Sequence, residues 1–281
     1  MSQSANVYFF GDIGLLNDNL IKLTQEVEKK IANNDKIVLL GDNFYPNGVK
    51  SVADEQWFAY CEIFKKFGYK NIYGILGNHD YMGNPKSQMI SPYMVMHDFY
   101  YTKRISIKTQ LFFIDTVLLY PYHCDINEID YIRIHNNDYD VLIDKQIRWL
   151  DNELYKSDAI NKIVIGHYPI ITNGYYYNNM KPLYNLLMPI FQKYKIKAYI
   201  SGHEHNIQFI ERRMHYGYNF YQIIIGDSSF NRVAYISNTK NRLYDMYYAN
   251  DNHFLHMKEN DNHLKFSFCN NKGEINYSYQ I

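Results

Sequence analysis

An α/β fold with a largely parallel sheet, extended by further strands toward the C-terminus, is what this sequence predicts. Short unbroken apolar runs, such as residues 7–10 and 37–40, alternate with longer amphipathic stretches, which is the pattern of βαβ units. From Ile207 onward strand-like runs such as 221–225 dominate and suggest a mixed or second sheet. Five of the apolar runs each end in glycine followed by a polar, metal-competent side chain. In open α/β sheets, ligands bind at the carboxyl ends of strands.

Residues 7–10 read as the first strand. Leu20, Leu23, Val27 and Ile31 recur at three- and four-residue steps, one face of a helix. Residues 37–40 form a second strand, buried on both faces by its unbroken apolar run. A helix over 53–67 and a strand over 72–76 come next, then a strand at 111–114. Ile147, Leu150 and Leu154 mark a helix ending near Lys156. A strand at 163–165, a helix over 183–194 and a strand at 198–200 complete the alternating part. From Asn250 the chain is polar with alternating apolar residues and reads least clearly.

Composition excludes several classes. Hydrophobic residues make up 47% of the 281, too many for a disordered chain. Lys plus Arg number 29 and Asp plus Glu 29, so no general basic field draws nucleic acid. Clusters such as Lys65-Lys66 and Arg212-Arg213 are ordinary solvated charges. No run of 18 apolar residues is present to span a membrane. Cys61, Cys124 and Cys269 are scattered and odd in number, neither a disulfide framework nor a CxxC site. With no signal-peptide pattern at the start, the expectation is a cytoplasmic or other intracellular location; a secretory route stays open if the sequence is trimmed.

The chemistry lies just past the strand ends. Gly11-Asp12, Gly41-Asp42, Gly77-Asn78-His79, Gly166-His167 and the run from Gly202 to His205 each succeed an apolar segment. Singly, each is an ordinary turn or core histidine. Together they collect Asp12, Asp42, Tyr45, Asn78, His167, His203 and His205. Carboxylate, phenolate, amide and imidazole suit Fe, Mn or Zn better than a soft thiophilic metal. Seven donors exceed one tetrahedral ion and suit two, with one carboxylate bridging.

These blocks resemble the calcineurin-like metallophosphoesterases, and within them the small, tartrate-resistant branch of the purple acid phosphatases. The residues concerned are Gly11-Asp12-Ile13-Gly14, Gly41-Asp42-Asn43-Phe44-Tyr45, Gly77-Asn78-His79-Asp80, Gly166-His167-Tyr168-Pro169 and Gly202-His203-Glu204-His205-Asn206. Weaker matches are Asn47-Gly48-Val49, Asp115-Thr116 and Gln146 with Trp149-Leu150. The resemblance implies a four-layer αββα sandwich, two mixed β-sheets with helices outside. It implies one domain over 1–281, with motifs across 7–226 and C-terminal strands in 227–281 completing the second sheet. It implies two metal ions. Asp12, Asp42, Tyr45 and His205 would hold Fe(III). Asp42, Asn78, His167 and His203 would hold a divalent Fe, Zn or Mn. The implied activity is hydrolysis of phosphate monoesters by metal-bound hydroxide, acid-phosphatase-like, on a phosphorylated small molecule or phosphoprotein. His79 would contact phosphate and protonate the leaving alcohol, with Asn78 also at the substrate. Asp80 would take part in catalysis by orienting His79 or a ligand.

One position departs. The animal enzymes carry a histidine nine residues after the Gly-His-Tyr-Pro histidine, and here Tyr176 stands there. A phenol at the substrate donates a hydrogen bond but is a weaker acid than imidazolium. Two other readings share the motifs: a phosphodiesterase or nucleotide pyrophosphohydrolase, and a non-catalytic scaffold that keeps the fold. A scaffold would be marked by lost ligands, and none is lost.

Overall fold

The computed structural model describes residues 6–121, 139–214, 217–230, 245–260 and 263–281, so the reading of Cys124 lies outside the described residues. Two mixed sheets with flanking helices make up the fold. In the first sheet the order is β13-β12-β11-β1-β2-β3. These strands are β1 (Asn6–Phe10), β2 (Lys36–Leu39), β3 (Ile72–Gly74), β11 (His253–Glu259), β12 (Leu264–Asn270) and β13 (Ile275–Gln280). The second runs β10-β8-β9-β7-β6-β5-β4. It contains β4 (Tyr101–Arg104), β5 (Thr109–Phe113), β6 (Asn161–Ile165), β7 (Ala198–Ser201), β8 (Ile207–Arg213), β9 (Asn219–Ile225) and β10 (Asp245–Ala249).

Parallel pairing links the strands that the βαβ pattern marks and takes in one strand from the later, strand-rich part, β9, beside β7. β1, β2 and β3 run parallel, with Phe10 opposite Leu39 and Leu39 opposite Gly74. β5, β6, β7 and β9 do the same in the second sheet. Aromatic side chains close the space between the sheets. Phe209 of β8 lies 5.7 Å from Phe268 of β12 and 5.3 Å from Tyr279 of β13, centroid to centroid. At the other end Tyr73 of β3 stacks on Phe113 of β5 at 6.3 Å.

Helices cover the sheets. α1 (Asp18–Glu28) starts where the Asn17 side chain accepts the backbone N–H groups of Asn19 and Leu20, a cap for orphan donors, and buries Leu20, Leu23 and Val27. It stops short of Ile31, which still packs on the core. α2 (Gln56–Phe64) sets Phe64 edge-on to Phe10 and continues as a 3₁₀ turn over Lys65–Phe67. Its start is later than the expected residue 53 because Asp54 caps the turn, accepting from Gln56 N and Lys50 N. α6 (Tyr139–Lys156) and α7 (Lys181–Lys193) lie with the second sheet; Phe191 of α7 packs on Tyr199 and Phe220. Three short helices escape the sequence reading: α3 (Asn78–Tyr81), α4 (Pro85–Met89) and α5 (Thr116–Leu119).

The expectation that the C-terminal strands complete the second sheet is corrected. Among the described residues of that segment only β10 joins it, antiparallel to β8. β11, β12 and β13 build the first sheet, β11 pairing antiparallel with β1 so that Val7 faces Met257. The physical reason is β1 itself. Val7, Phe9 and Phe10 are fully buried, and a buried strand needs backbone partners on both edges. β2 satisfies one edge and β11 the other.

Candidate metal centre

Five loops at strand carboxyl ends meet between the two sheets. Asp12 follows β1, Asp42 and Tyr45 follow β2, and Asn78 and His79 follow β3. His167 follows β6, and His203 and His205 follow β7. Asp12, Asp42 and His203 have φ of 55°, 50° and 70°, the left-handed region that costs most residues about 1–2 kcal/mol. Such turns aim side chains back over the strand ends. Gly77 and Gly202 are required for closeness: a Cβ on either would run into the carboxylate of Asp42 or of Asp12.

The donors form two overlapping groups. Ligand atoms of Asp42, His167 and His203 lie within 4.8 Å of one another, as do those of Asp12, Asp42 and His205. Asp42 is common to both. Tyr45 Oη lies 3.1 Å from Asp12 Oδ1, 3.2 Å from Asp42 Oδ2 and 3.2 Å from His205 Nε2. Asn78 Oδ1 is 3.2 Å from His167 Nε2, and Asp42 Oδ1 is 3.5 Å from the same nitrogen. Thus all seven expected donors converge. His167 is aimed by Leu40, whose carbonyl accepts from Nδ1 at 2.8 Å and leaves Nε2 facing inward. His205 has Nε2 inward, 3.3 Å from Asp12 Oδ1, and a buried Nδ1 with no partner among the described residues.

Charge supports a cation here. Asp12, Asp42 and His167 are buried to 1% exposure or less. Burial pushes the Tyr45 phenol well above its usual value, and the carboxylates of Asp12 and Asp42 push it further. Burial pushes Asp42 up as well, but His167 and His79 outweigh it and hold the carboxyl at about 2. Burial lowers His167, and the Asp42 carboxylate more than reverses that, lifting it to about 9. Two buried carboxylates with a phenol between them are a costly arrangement unless positive charge compensates. Divalent or trivalent ions would supply it, and oxygen and imidazole donors fit Fe, Zn or Mn.

The expected catalytic residues separate. His79 is half-buried beside the donors, its ring edge-on to Tyr45 at 4.7 Å and its Nδ1 2.6 Å from Pro46 O. Asp80 is fully buried. Its carboxylate accepts from Gly77 N at 2.8 Å, Asn43 N at 3.0 Å, Phe44 N at 3.3 Å and Gln88 Nε2 at 2.8 Å. Burial and the Asp42 charge raise Asp80 to about 6, against those N–H donors. Asp80 therefore positions the loop that carries Asp42. Tyr176 does reach the site, its ring stacked on His203 at 4.3 Å.

Glu204 escapes the sequence reading although it stands inside a motif. Its buried carboxylate accepts from Thr172 Oγ1 at 2.7 Å, Tyr175 N at 3.0 Å and Tyr176 N at 2.9 Å. It ties the 172–176 loop to the segment bearing His203 and His205. Its place between two donor histidines is the only signal that could have found it.

The chain is similar to known proteins in sequence and in fold. The chain is 32% identical over 212 residues to purple acid phosphatase 7 of Arabidopsis thaliana, covering 72% of this chain and 63% of that protein. It is 29% identical over 196 residues to tartrate-resistant acid phosphatase type 5 of Oryctolagus cuniculus, covering 65% and 58%. It spans about three fifths of these relatives' lengths. Its fold is similar to that of GAP50, the anchor in the inner membrane complex of Plasmodium, with a TM-score of 0.79 at 23% identity over 99% of this chain and 88% of that one. It is also similar to that of purple acid phosphatase PPD1 from yellow lupin, with a TM-score of 0.73 at 14% identity over 100% and 54%. Residues 5–206, which carry every donor, match the calcineurin-like phosphoesterase description, and the chain belongs to that family.

Proposed function

We propose that this chain is a two-metal phosphomonoesterase with Fe(III) in one site and a divalent Fe, Zn or Mn in the other. The observation that carries the reading is the complete donor set built around a shared Asp42. Asp12, Asp42, Tyr45 and His205 would hold the ferric ion, and Asp42, Asn78, His167 and His203 the divalent one. Bound cations supply Lewis acidity toward phosphate oxygens and an activated water. The chain's own residues do the rest. Pro46 O accepts from His79 Nδ1, so Nε2 is the atom that gives a proton to the leaving alcohol. Tyr176, held by Glu204 through its backbone N–H, offers its hydroxyl to the phosphate. A cleft of about 790 Å³ opens beside Tyr45, bordered by Pro46, Asn47 and Lys50. The substrate class is a phosphorylated small molecule or phosphoprotein.

The test is metal content, visible spectrum and aryl-phosphate hydrolysis in wild type and Asp42→Asn. Wild type is expected to bind two metals per chain and show a tyrosinate-to-iron band. Asp42→Asn is expected to lose at least about a hundredfold in rate and metal affinity. Unchanged hydrolysis in that variant would sink the reading. A preference for diesters over monoesters would favour the phosphodiesterase alternative.

A scaffold role is the second reading, favoured by the fold likeness to the Plasmodium anchor protein and opposed by the intact donors. Among the described residues no helix is long and apolar enough to cross a membrane. We place the protein in a reducing intracellular compartment, consistent with the free thiols of Cys61 and Cys269. Cell fractionation checks that placement.

A further inference from the structure

The loop that leaves β9, residues 226–230, touches both sheets at the end where the donors meet. Toward the first sheet it holds the turn that carries Asp12. Ser228 N donates to Gly11 O at 3.2 Å, and Ser228 Oγ accepts from Gly11 N at 3.2 Å. Ser229 Oγ donates to Asp12 O at 2.5 Å, and Ser229 O accepts from Asn17 Nδ2 at 2.8 Å. Toward the second sheet it meets the segment that carries His205. Gly226 N donates to Asn206 O at 3.1 Å, a Cβ on Gly226 would strike Glu204 O, and Phe230 lies edge-on to the His205 ring at 4.8 Å.

An ionisable pair that the donor set does not use fastens this loop to β11. Asp227 Oδ1 accepts from His253 N at 3.2 Å, Asp227 O accepts from Asn252 Nδ2 at 2.7 Å, and Ser228 Oγ donates to His253 O at 2.9 Å. His253 Nδ1 lies 3.5 Å from Asp227 Oδ2, an ion-pair contact in which neither atom makes a hydrogen bond among the described residues. Asp251 Oδ1 is 3.6 Å from the same nitrogen, on a side chain 67% exposed, so Asp227 is the partner held out of water. Buried pairs of this kind gain little net stability, and their best-attested use is to fix one arrangement among alternatives. The far end of β11 is bridged to the second sheet as well. There the buried Glu259 accepts from Ser106 Oγ at 2.6 Å and from Thr109 Oγ1 at the start of β5.

We infer that Asp227 and His253 are positioning residues for the Fe(III) half of the centre: their buried pair fixes the 226–230 loop on β11, and the loop sets Asp12 of one sheet against His205 of the other. This rests on the two-metal reading above. Asp12 and His205 serve the Fe(III) half alone, whereas Asp42 serves both, so loss of the pair acts on one ion.

Dialysis of the Fe(III)–Zn(II)-loaded protein against graded chelator tests this without turnover, with iron and zinc counted per chain and the visible spectrum recorded. In Asp227→Ala the chelator concentration that strips half the iron is expected to fall about 10–100-fold, while that for zinc changes by no more than about twofold. The tyrosinate-to-iron band should shift in the protein that still holds iron. Ser229→Ala removes one hydroxyl only. It is expected to move iron retention the same way, and it carries the test if Asp227→Ala does not fold. Glu259→Ala cuts the other bridge, so urea unfolding should show lost stability while iron, zinc and band stay as in wild type. Unchanged iron retention in Asp227→Ala and Ser229→Ala overturns the inference. So does equal loss of iron and zinc, or an effect of Glu259→Ala on the band as large as that of Asp227→Ala, since either means that the pair only holds the sheets together. Wild type that binds fewer than two metals, or shows no tyrosinate-to-iron band, overturns the two-metal reading and the inference with it.

Discussion

Asp80 shows how much a single carboxylate does without touching substrate. Its two oxygens accept backbone N–H groups from three residues on two loops, plus the Gln88 amide. Asn43 and Phe44 follow Asp42 directly, so the Asp42 carboxylate stays where His79 N donates to it at 2.9 Å. Asparagine at position 80 keeps one acceptor and turns an NH₂ group toward donors. Asp80→Asn is therefore expected to lower metal affinity by roughly 10–100-fold and stability by about 1–3 kcal/mol. Metal titration and urea unfolding check the two. Metal affinity equal to wild type would contradict the positioning role. Asp12, Asp42, Asn78 and His167 were legible because each stands two residues past an apolar run, and His203 and His205 because they close the Gly202 to His205 motif. The contacts through which Asp80 acts were not. Its partners Asn43, Phe44 and Gln88 meet it only once β2, β3 and α4 are in place.

The elements that frame the centre depend on substitutes for missing backbone partners. Beyond β5 the chain leaves the sheet at Asp115, and Gln146 of α6 takes over. Its Oε1 accepts from Asp115 N at 2.8 Å, and its Nε2 donates to Asp115 O at 3.1 Å. All of these groups are buried. Gln146→Ala strands the Asp115 N–H, while Asp115 O keeps the Leu119 N–H at 3.2 Å, and a loss of about 1–3 kcal/mol is expected in denaturant unfolding. Gln146→Glu should recover part of it, since one oxygen still accepts from Asp115 N. A loss under about 0.5 kcal/mol in the alanine variant would mean that the loop finds other partners. Helices of useful length were legible from the spacing of Leu20, Leu23 and Val27 or of Ile147, Leu150 and Leu154. α3, α4 and α5 were not, because four or five residues show no period. The sheet that β11 joins was equally hidden. Alternation shows that a strand buries one face, but not which distant strand it pairs with.

Across the whole molecule the net charge is zero, so ionisable groups act through burial rather than overall field. Asp115 is the clearest case away from the donors. Burial raises its carboxyl to about 7, against Tyr81 Oη and Leu118 N, which donate to it at 2.6 and 3.0 Å. A carboxyl whose folded value is raised holds its proton longer in the native state than in the unfolded chain. Its stabilising contribution is then complete below about pH 4 and is lost as pH rises toward 7. Wild type should accordingly lose ground to Asp115→Asn across that window, on the order of 2–4 °C for each kcal/mol. Metal loading should behave in the opposite sense. Carboxylates, a phenolate and neutral imidazoles must shed protons to bind cations, so the gap between loaded and chelator-treated protein should widen as pH rises. Thermal unfolding of wild type and Asp115→Asn, each with metal and with chelator, from pH 5 to 8 reads both trends together. A loaded-to-stripped gap that does not change with pH would mean that the seven donors do not bind ions as a deprotonated set. A wild-type-to-variant gap that does not change would mean that Asp115 is ionised throughout.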